Sequence, residues 1–62
     1  MEFRDFCVAH GLIVDRVVEG RWMRVPTTDH PRKRNGAYKY LVDVGWVQNH
    51  ATSMEVSTWR PK

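Results

Sequence analysis

The pattern of residues 21 to 51 predicts three short β-strands joined by one basic loop and one tight turn. The first strand passes through Trp22 and Arg24. Because Pro26 has no N–H to donate to a strand ladder, we expect this strand to end near Val25. Everything else in the chain has to pack against this small predicted sheet.

The other two strands are predicted to form a hairpin. Turn-forming residues make 27 to 36 a loop, and its last pair, Asn35-Gly36, leads into the strand AYKYLVDV. The segment from Asp43 to Gly45 then turns the chain back into the strand GWVQNHA.

Outside the sheet, apolar residues spaced three and four apart predict an amphipathic helix from Glu2 to His10, which Gly11 ends. Phe3 and Phe6 of this helix are expected to cover one side of the sheet. The sequence therefore predicts an α+β fold, with a three- to four-stranded antiparallel sheet and an N-terminal helix. We expect a single small domain over residues 1–59, followed by a tail or linker at residues 60–62.

Two segments are harder to assign. In residues 12 to 18 the β-branched residues favour a strand, while the spacing of Ile13 and Val17 also suits a helix. The preferred interpretation is a strand over residues 16–18, paired through the turn at Glu19-Gly20 with the strand that begins at Arg21. Near the carboxyl end, a cap at Thr52 or Ser53 can start one helical turn containing Glu55, and Trp59 is expected to pack onto the domain.

A chain of 62 residues buries only about 60% of its unfolded surface, and its one cysteine, Cys7, cannot form an internal disulfide. Core packing or neighbouring protein must then supply its stability. A lone cysteine fits a reducing compartment. No apolar run approaches the roughly 18 residues of a membrane span, and the amino terminus lacks a signal-peptide pattern, so we expect a cytoplasmic protein.

Positive charge is concentrated in the middle of the chain. Residues 21–40 carry six cations and one carboxylate, a net charge of +5, whereas the whole chain carries +3. Such a concentration favours a polyanionic partner, most often nucleic acid. For the three consecutive cations Arg32, Lys33 and Arg34 taken alone, a solvated loop is the simpler interpretation.

Alternation along the strands sorts their side chains onto two faces. The core face is expected to hold Met23, Val25, Tyr38, Tyr40, Val42 and Val47, together with Phe3 and Phe6. The opposite face is expected to hold Trp22, Arg24, Lys39, Trp46 and Gln48, with Arg32, Lys33 and Arg34 at its edge. These eight residues are the candidate nucleic-acid-binding residues, since aromatic rings stack on bases and cations neutralise phosphates. A register slip of one residue would exchange the two faces and make the tryptophans core residues.

Metal binding and catalysis find little support in the sequence. One cysteine and three histidines, Cys7, His10, His30 and His50, can be drawn as a ligand set, but only the first two form a close pair, and Cys7 fits better as a small buried apolar residue. Nucleophile–base pairs, paired carboxylates and a glycine-rich phosphate loop are all missing from the sequence. We therefore expect no metal, no cofactor and no enzymatic activity.

The segments GRWMRVPT, DHPRKRNGAYKY and GWVQNHAT resemble the amino-terminal zinc-ribbon-like module of phage and plasmid primase-type proteins, which in longer relatives precedes a Toprim catalytic domain. The resemblance covers about residues 3 to 59 and is most specific where the basic loop runs into GAYKY. It implies a module that engages a single-stranded DNA template and helps to start primer synthesis, with the chemistry performed elsewhere. The chain departs from the family near residues 25–28 and 47–50, where primase ribbons carry paired cysteines or histidines and neither segment of this chain contains a cysteine. Packing of Val25, Val47 and the tyrosines would then replace the metal.

Two functions follow as hypotheses. The first is a nucleic-acid-binding module, with single-stranded DNA favoured, that belongs to a primase- or helicase-type phage or plasmid replication protein. The second is a small phage-type protein that binds and modulates a host nucleic-acid-processing complex. Trp, Tyr and Arg are enriched at protein interfaces as well, so composition does not separate the two hypotheses.

Overall fold

A computed structural model describes residues 2–50 and 55–61 of the chain. It contains one helix, α1 (Phe3–Ala9), and four strands, β1 (Trp22–Val25), β2 (Gly36–Leu41), β3 (Val44–Asn49) and β4 (Val56–Trp59). The strands form one antiparallel sheet in the order β1-β2-β3-β4. The predicted α+β fold with an N-terminal helix and a small antiparallel sheet is confirmed. The described part of the chain contains no helix with the length and apolar character needed to cross a membrane.

The helix ends where the sequence predicts. Gly11 has a φ of 84°, a left-handed conformation that glycine adopts without steric cost. The side-chain amide of Asn49, at the end of β3, donates a hydrogen bond of 2.7 Å to the carbonyl oxygen of His10. This bond satisfies a carbonyl at the helix end and ties the helix to the sheet.

The core lies between the helix and one face of the sheet. Its buried members are Phe3, Cys7, Leu12, Val14, Tyr38, Val47 and Trp59, and Phe6, Met23, Val25 and Tyr40 pack against them. Phe3 occupies the centre, with its ring centroid 5.0 Å from that of Tyr40 and 5.3 Å from that of Trp59. Most of the predicted core is confirmed, as is the packing of Trp59. Val42 is a correction: it lies in the turn between β2 and β3 and is 64% exposed.

The predicted strand over residues 16–18 is wrong. Residues 12–20 instead cross the core face of the sheet. Two of them, Leu12 and Val14, are buried in the core. The reason is a polar anchor on β2: the buried hydroxyl of Tyr38 accepts a 2.9 Å hydrogen bond from the backbone N–H of Val18. Pairing with β1 would forfeit that bond and uncover the apolar face.

Two smaller expectations also need correction. β2 ends at Leu41 and β3 begins at Val44, so the hairpin turn is formed by Val42 and Asp43 and comes earlier than predicted. Glu55 leads directly into β4 instead of lying in a helical turn. The proposed caps of that turn, Thr52 and Ser53, lie outside the described residues.

Candidate nucleic-acid interface

The sheet has one face that the helix and residues 12–20 do not cover. Strand register and alternation place ten side chains on this open face: Trp22, Arg24, Ala37, Lys39, Leu41, Val44, Trp46, Gln48, Val56 and Thr58. None of these ten outward positions of the four strands is acidic. The face therefore combines aromatic and positively charged side chains with no carboxylate among them.

The indoles and a lysine form one row across the strands. Trp22 is the cross-strand partner of Lys39, Lys39 is the partner of Trp46, and Trp46 is the partner of Thr58. Trp22 is 48% exposed and Trp46 is half-buried. Since neighbouring strands lie about 4.8 Å apart, the backbones beneath the two indoles are about 10 Å apart.

A second row lies beside the first, toward the loop that joins β1 and β2. It contains Arg24, Ala37, Gln48 and Val56 in cross-strand order. Ala37, the smallest side chain of this row, is buried between the longer Arg24 and Gln48. Val56 is 48% exposed, which adds apolar surface at the β4 end.

The basic loop, formed by Arg32, Lys33 and Arg34, is exposed to solvent and leads into β2. The guanidinium of Arg24 donates a hydrogen bond of 2.9 Å from Nη2 to the carbonyl oxygen of Arg34. At the other side of the loop, the backbone N–H of His50 donates to the carbonyl oxygen of Asn35 over 2.9 Å. The end of the loop that leads into β2 is thus bonded to β1 through Arg24 and to the residue after β3 through His50.

The structure brings five of the eight residues that the sequence singles out onto one face: Trp22, Arg24, Lys39, Trp46 and Gln48. The loop that contains the other three, Arg32, Lys33 and Arg34, is tied to this face by the hydrogen bond from Arg24 to the Arg34 carbonyl oxygen. The sequence missed Val56 and Thr58 because β4 was not predicted. The β-branched Val56 and Thr58 and the aromatic Trp59 were the available signal, since such residues are enriched in strands.

An open groove of about 660 Å³ lies beside the start of the helix. Phe3, Tyr40 and Trp59 contribute to its lining, but so do the carboxylates of Glu2 and Asp5. It lies on the core side of the sheet. With the guanidinium of Arg4 also in the lining, the groove has a net charge of −1, whereas the charged side chains of the open face are all cations.

The histidines and the cysteine do not form a common site. Within residues 2–50 and 55–61, no three His, Cys, Asp or Glu side chains lie together as metal ligands would. Cys7 is fully buried, and burial raises the pKa of its thiol from 9.0 to about 12, only partly offset by a backbone hydrogen bond. His10 packs on Phe6, with ring centroids 4.5 Å apart. Metals bind the thiolate, so a thiol held protonated in this way is a poor ligand.

Comparisons of the chain with protein-family models, with curated protein sequences and with solved structures found no match.

Proposed function

We propose that this protein binds single-stranded nucleic acid, with single-stranded DNA favoured, on the open face of its sheet. The observation that carries the proposal is the row in which Lys39 lies between Trp22 and Trp46, on a face without carboxylates. Base stacking on an aromatic side chain contributes about 1–3 kcal/mol per base and is independent of base identity. Double-stranded DNA hides its bases from such a platform, whereas a single strand presents them.

The basic loop supports the same proposal through charge. Arg24 donates a hydrogen bond to the backbone carbonyl oxygen of Arg34, so this loop of three cations joins the sheet beside a fourth positive residue. Each phosphate contact releases counterions, which makes binding weaker as salt concentration rises. Stacking and phosphate neutralisation together are the combination expected of a general binder of single strands.

The biological setting is proposed from the sequence. The resemblance of DHPRKRNGAYKY and its neighbouring segments to primase ribbons supports the proposal that the module belongs to a phage or plasmid primase- or helicase-type protein, with catalysis performed by other domains. A reducing compartment, the cytoplasm, fits its single buried thiol.

A salt series with a fluorescent oligo-dT tests the proposal. We expect the logarithm of the affinity to fall linearly with the logarithm of salt concentration. Replacing Arg32, Lys33 and Arg34 together by alanine should make the slope shallower by up to about 2, since each single-strand contact contributes about 0.7. Lysine at positions 32 and 34 is the matched control, because it retains the charge and should retain the slope.

Absence of binding at low salt by the folded protein would overturn the proposal. The same aromatic and arginine-rich face would then be assigned to a protein partner, such as a host nucleic-acid-processing complex. Aromatic and arginine side chains dominate binding energy at protein interfaces too.

A further inference from the structure

The two rows of the open face differ in chemistry, and this difference indicates how a single strand lies on the sheet. Resting on the function proposed above, we infer that the bound strand crosses the four β-strands instead of following one of them. Its bases lie on the row of Trp22, Lys39 and Trp46. Its phosphates lie on the row of Arg24 and Ala37, beside the basic loop.

The positions of the indoles favour the crossing direction. Trp22 and Trp46 belong to strands β1 and β3 and occupy the same row, about 10 Å apart at the backbone. A strand that crosses the sheet meets one indole and then the other with successive bases. A strand that follows β3 would pass over Trp46 but leave Trp22 to one side, so one of the two stacking surfaces would go unused.

The second row suits a sugar–phosphate backbone. Arg24 begins the row, and the small side chain of Ala37 lies between the longer side chains of Arg24 and Gln48. A backbone placed there lies next to Arg24 and within reach of the basic loop, whose Arg34 carbonyl oxygen accepts the Arg24 hydrogen bond. The bases then point toward the indole row.

The net charge also differs between the two ends of the sheet, and it favours the same placement of the phosphates. The loop end carries the cations Arg24, Arg32, Lys33 and Arg34 and the acids Asp29 and Glu55, a net charge of +2. The end with the β2–β3 turn carries Arg21 and Arg60 against Glu19 and Asp43, a net charge of zero. Phosphates are therefore drawn to the loop end of the face.

Two valines on the open face provide a matched pair of test positions. Val56, on β4, belongs to the row assigned to phosphates, whereas Val44, on β3, lies four residues from Gln48 of that row. Four residues of strand span about 13 Å, which exceeds the Debye length of about 8 Å at physiological ionic strength. Val56→Glu and Val44→Glu introduce the same charge on the same face, and only the first places it beside the proposed phosphates.

The test is the affinity of the wild type and of both variants for oligo-dT at about 0.15 M salt, measured by fluorescence anisotropy. Circular dichroism confirms that each protein is folded. Two unit charges about 4 Å apart in water interact by about 1 kcal/mol before salt screening, so Val56→Glu should weaken binding by up to about fivefold and by more than Val44→Glu does. Val44→Glu should change the affinity less than twofold. Should Val44→Glu unfold the domain, Val44→Gln against Val56→Gln replaces the pair as a steric comparison at the same two positions.

The outcomes separate the inference from the function on which it rests. A wild type that does not bind removes the proposed function. A wild type that binds, but is weakened more at Val44 than at Val56, retains that function and overturns the crossing direction, because a strand following β3 passes over Val44. Equal weakening at both positions overturns the crossing direction as well.

Discussion

Gly45→Ala tests the close contact between Phe3 of the helix and Gly45 of β3. This contact holds the helix on one face of the sheet, so the opposite face remains open. A Cβ atom at residue 45 would lie within 3.0 Å of three atoms of the Phe3 ring. That ring cannot move aside easily, since it is 3% exposed and packs against both Tyr40 and Trp59. Gly45 pairs with Tyr40 on one side and Trp59 on the other, so its missing side chain is what leaves room for Phe3 between the two aromatic residues.

The magnitude follows from two limits. Overpacking a well-packed core costs about 1–3 kcal/mol. Losing the Phe3 ring from the core altogether costs about 3–5 kcal/mol. We expect Gly45→Ala to lower the free energy of unfolding by about 2–4 kcal/mol, between these limits. A domain of this size is stable by roughly 3–9 kcal/mol, so the variant should lose a large fraction of its free energy of unfolding.

Urea unfolding followed by far-ultraviolet circular dichroism measures the effect. Val44→Ala is the control, because it changes the adjacent residue of β3 on the open face and should cost under about 1 kcal/mol. In a Phe3→Leu background the methyl group meets a smaller side chain, and Gly45→Ala should cost less than it does alone. A cost for Gly45→Ala below about 0.5 kcal/mol, or an equal cost in both backgrounds, would refute the reasoning.

Three further changes probe other parts of the structure. Tyr38→Phe removes the acceptor for the backbone N–H of Val18 and should destabilise the domain by about 1–2 kcal/mol, with faster hydrogen exchange at that amide; unchanged exchange would contradict the anchoring role. Cys7→Ala should remove an alkaline instability of the wild type. The raised thiol pKa stabilises the fold below pH 9, and this stabilisation is lost by up to about 1.4 kcal/mol per pH unit between pH 9 and 12. Urea unfolding of both proteins at a series of pH values measures the difference. Arg24→Lys keeps the positive charge but loses the planar guanidinium that donates to the Arg34 carbonyl oxygen. The amide NMR chemical shifts should therefore change at Arg34, while the free energy of unfolding changes by under about 1 kcal/mol. Chemical-shift changes confined to residue 24 and its strand neighbours would argue against this hydrogen bond.

Much of the sheet was predictable because its strands have short, strong local signals. Pro26 ends β1 at Val25, and Asn35-Gly36 introduces β2, as expected. Alternation then assigned Trp22 and Trp46 to the same face before any register was known. The binding role of that face stays a prediction, which no comparison with a known protein tests.

The segment between the helix and β1 was not predictable from local pattern. Its valines suit a strand, but the structure uses them to cover the sheet, because the Tyr38 hydroxyl offers Val18 a hydrogen bond from twenty residues away. Such a long-range contact leaves no periodic signature. Val42 was misplaced for a related reason: alternation continued past Leu41, and only the two-residue turn shows that the strand has ended.

The fourth strand shows a different limit. Four residues are too few for periodicity to distinguish a strand from a capped turn, and Val56 to Trp59 finds its conformation by pairing with β3. Its contribution to the candidate site, Val56 and Thr58, was missed for that reason. The same strand extends the open face beyond Trp46, and the inferred path of the bound strand depends on it.

The most direct test of the open face as the binding surface is tryptophan emission during titration with oligo-dT. Variants that each retain one of Trp22, Trp46 and Trp59, with phenylalanine at the other two positions, report on the rings separately. We predict that oligo-dT quenches Trp22 and Trp46, which lie on the open face, and leaves Trp59, which is 8% exposed on the core side, unchanged. Saturable binding of oligo-dT that leaves the emission of Trp22 and Trp46 unaltered would contradict the account.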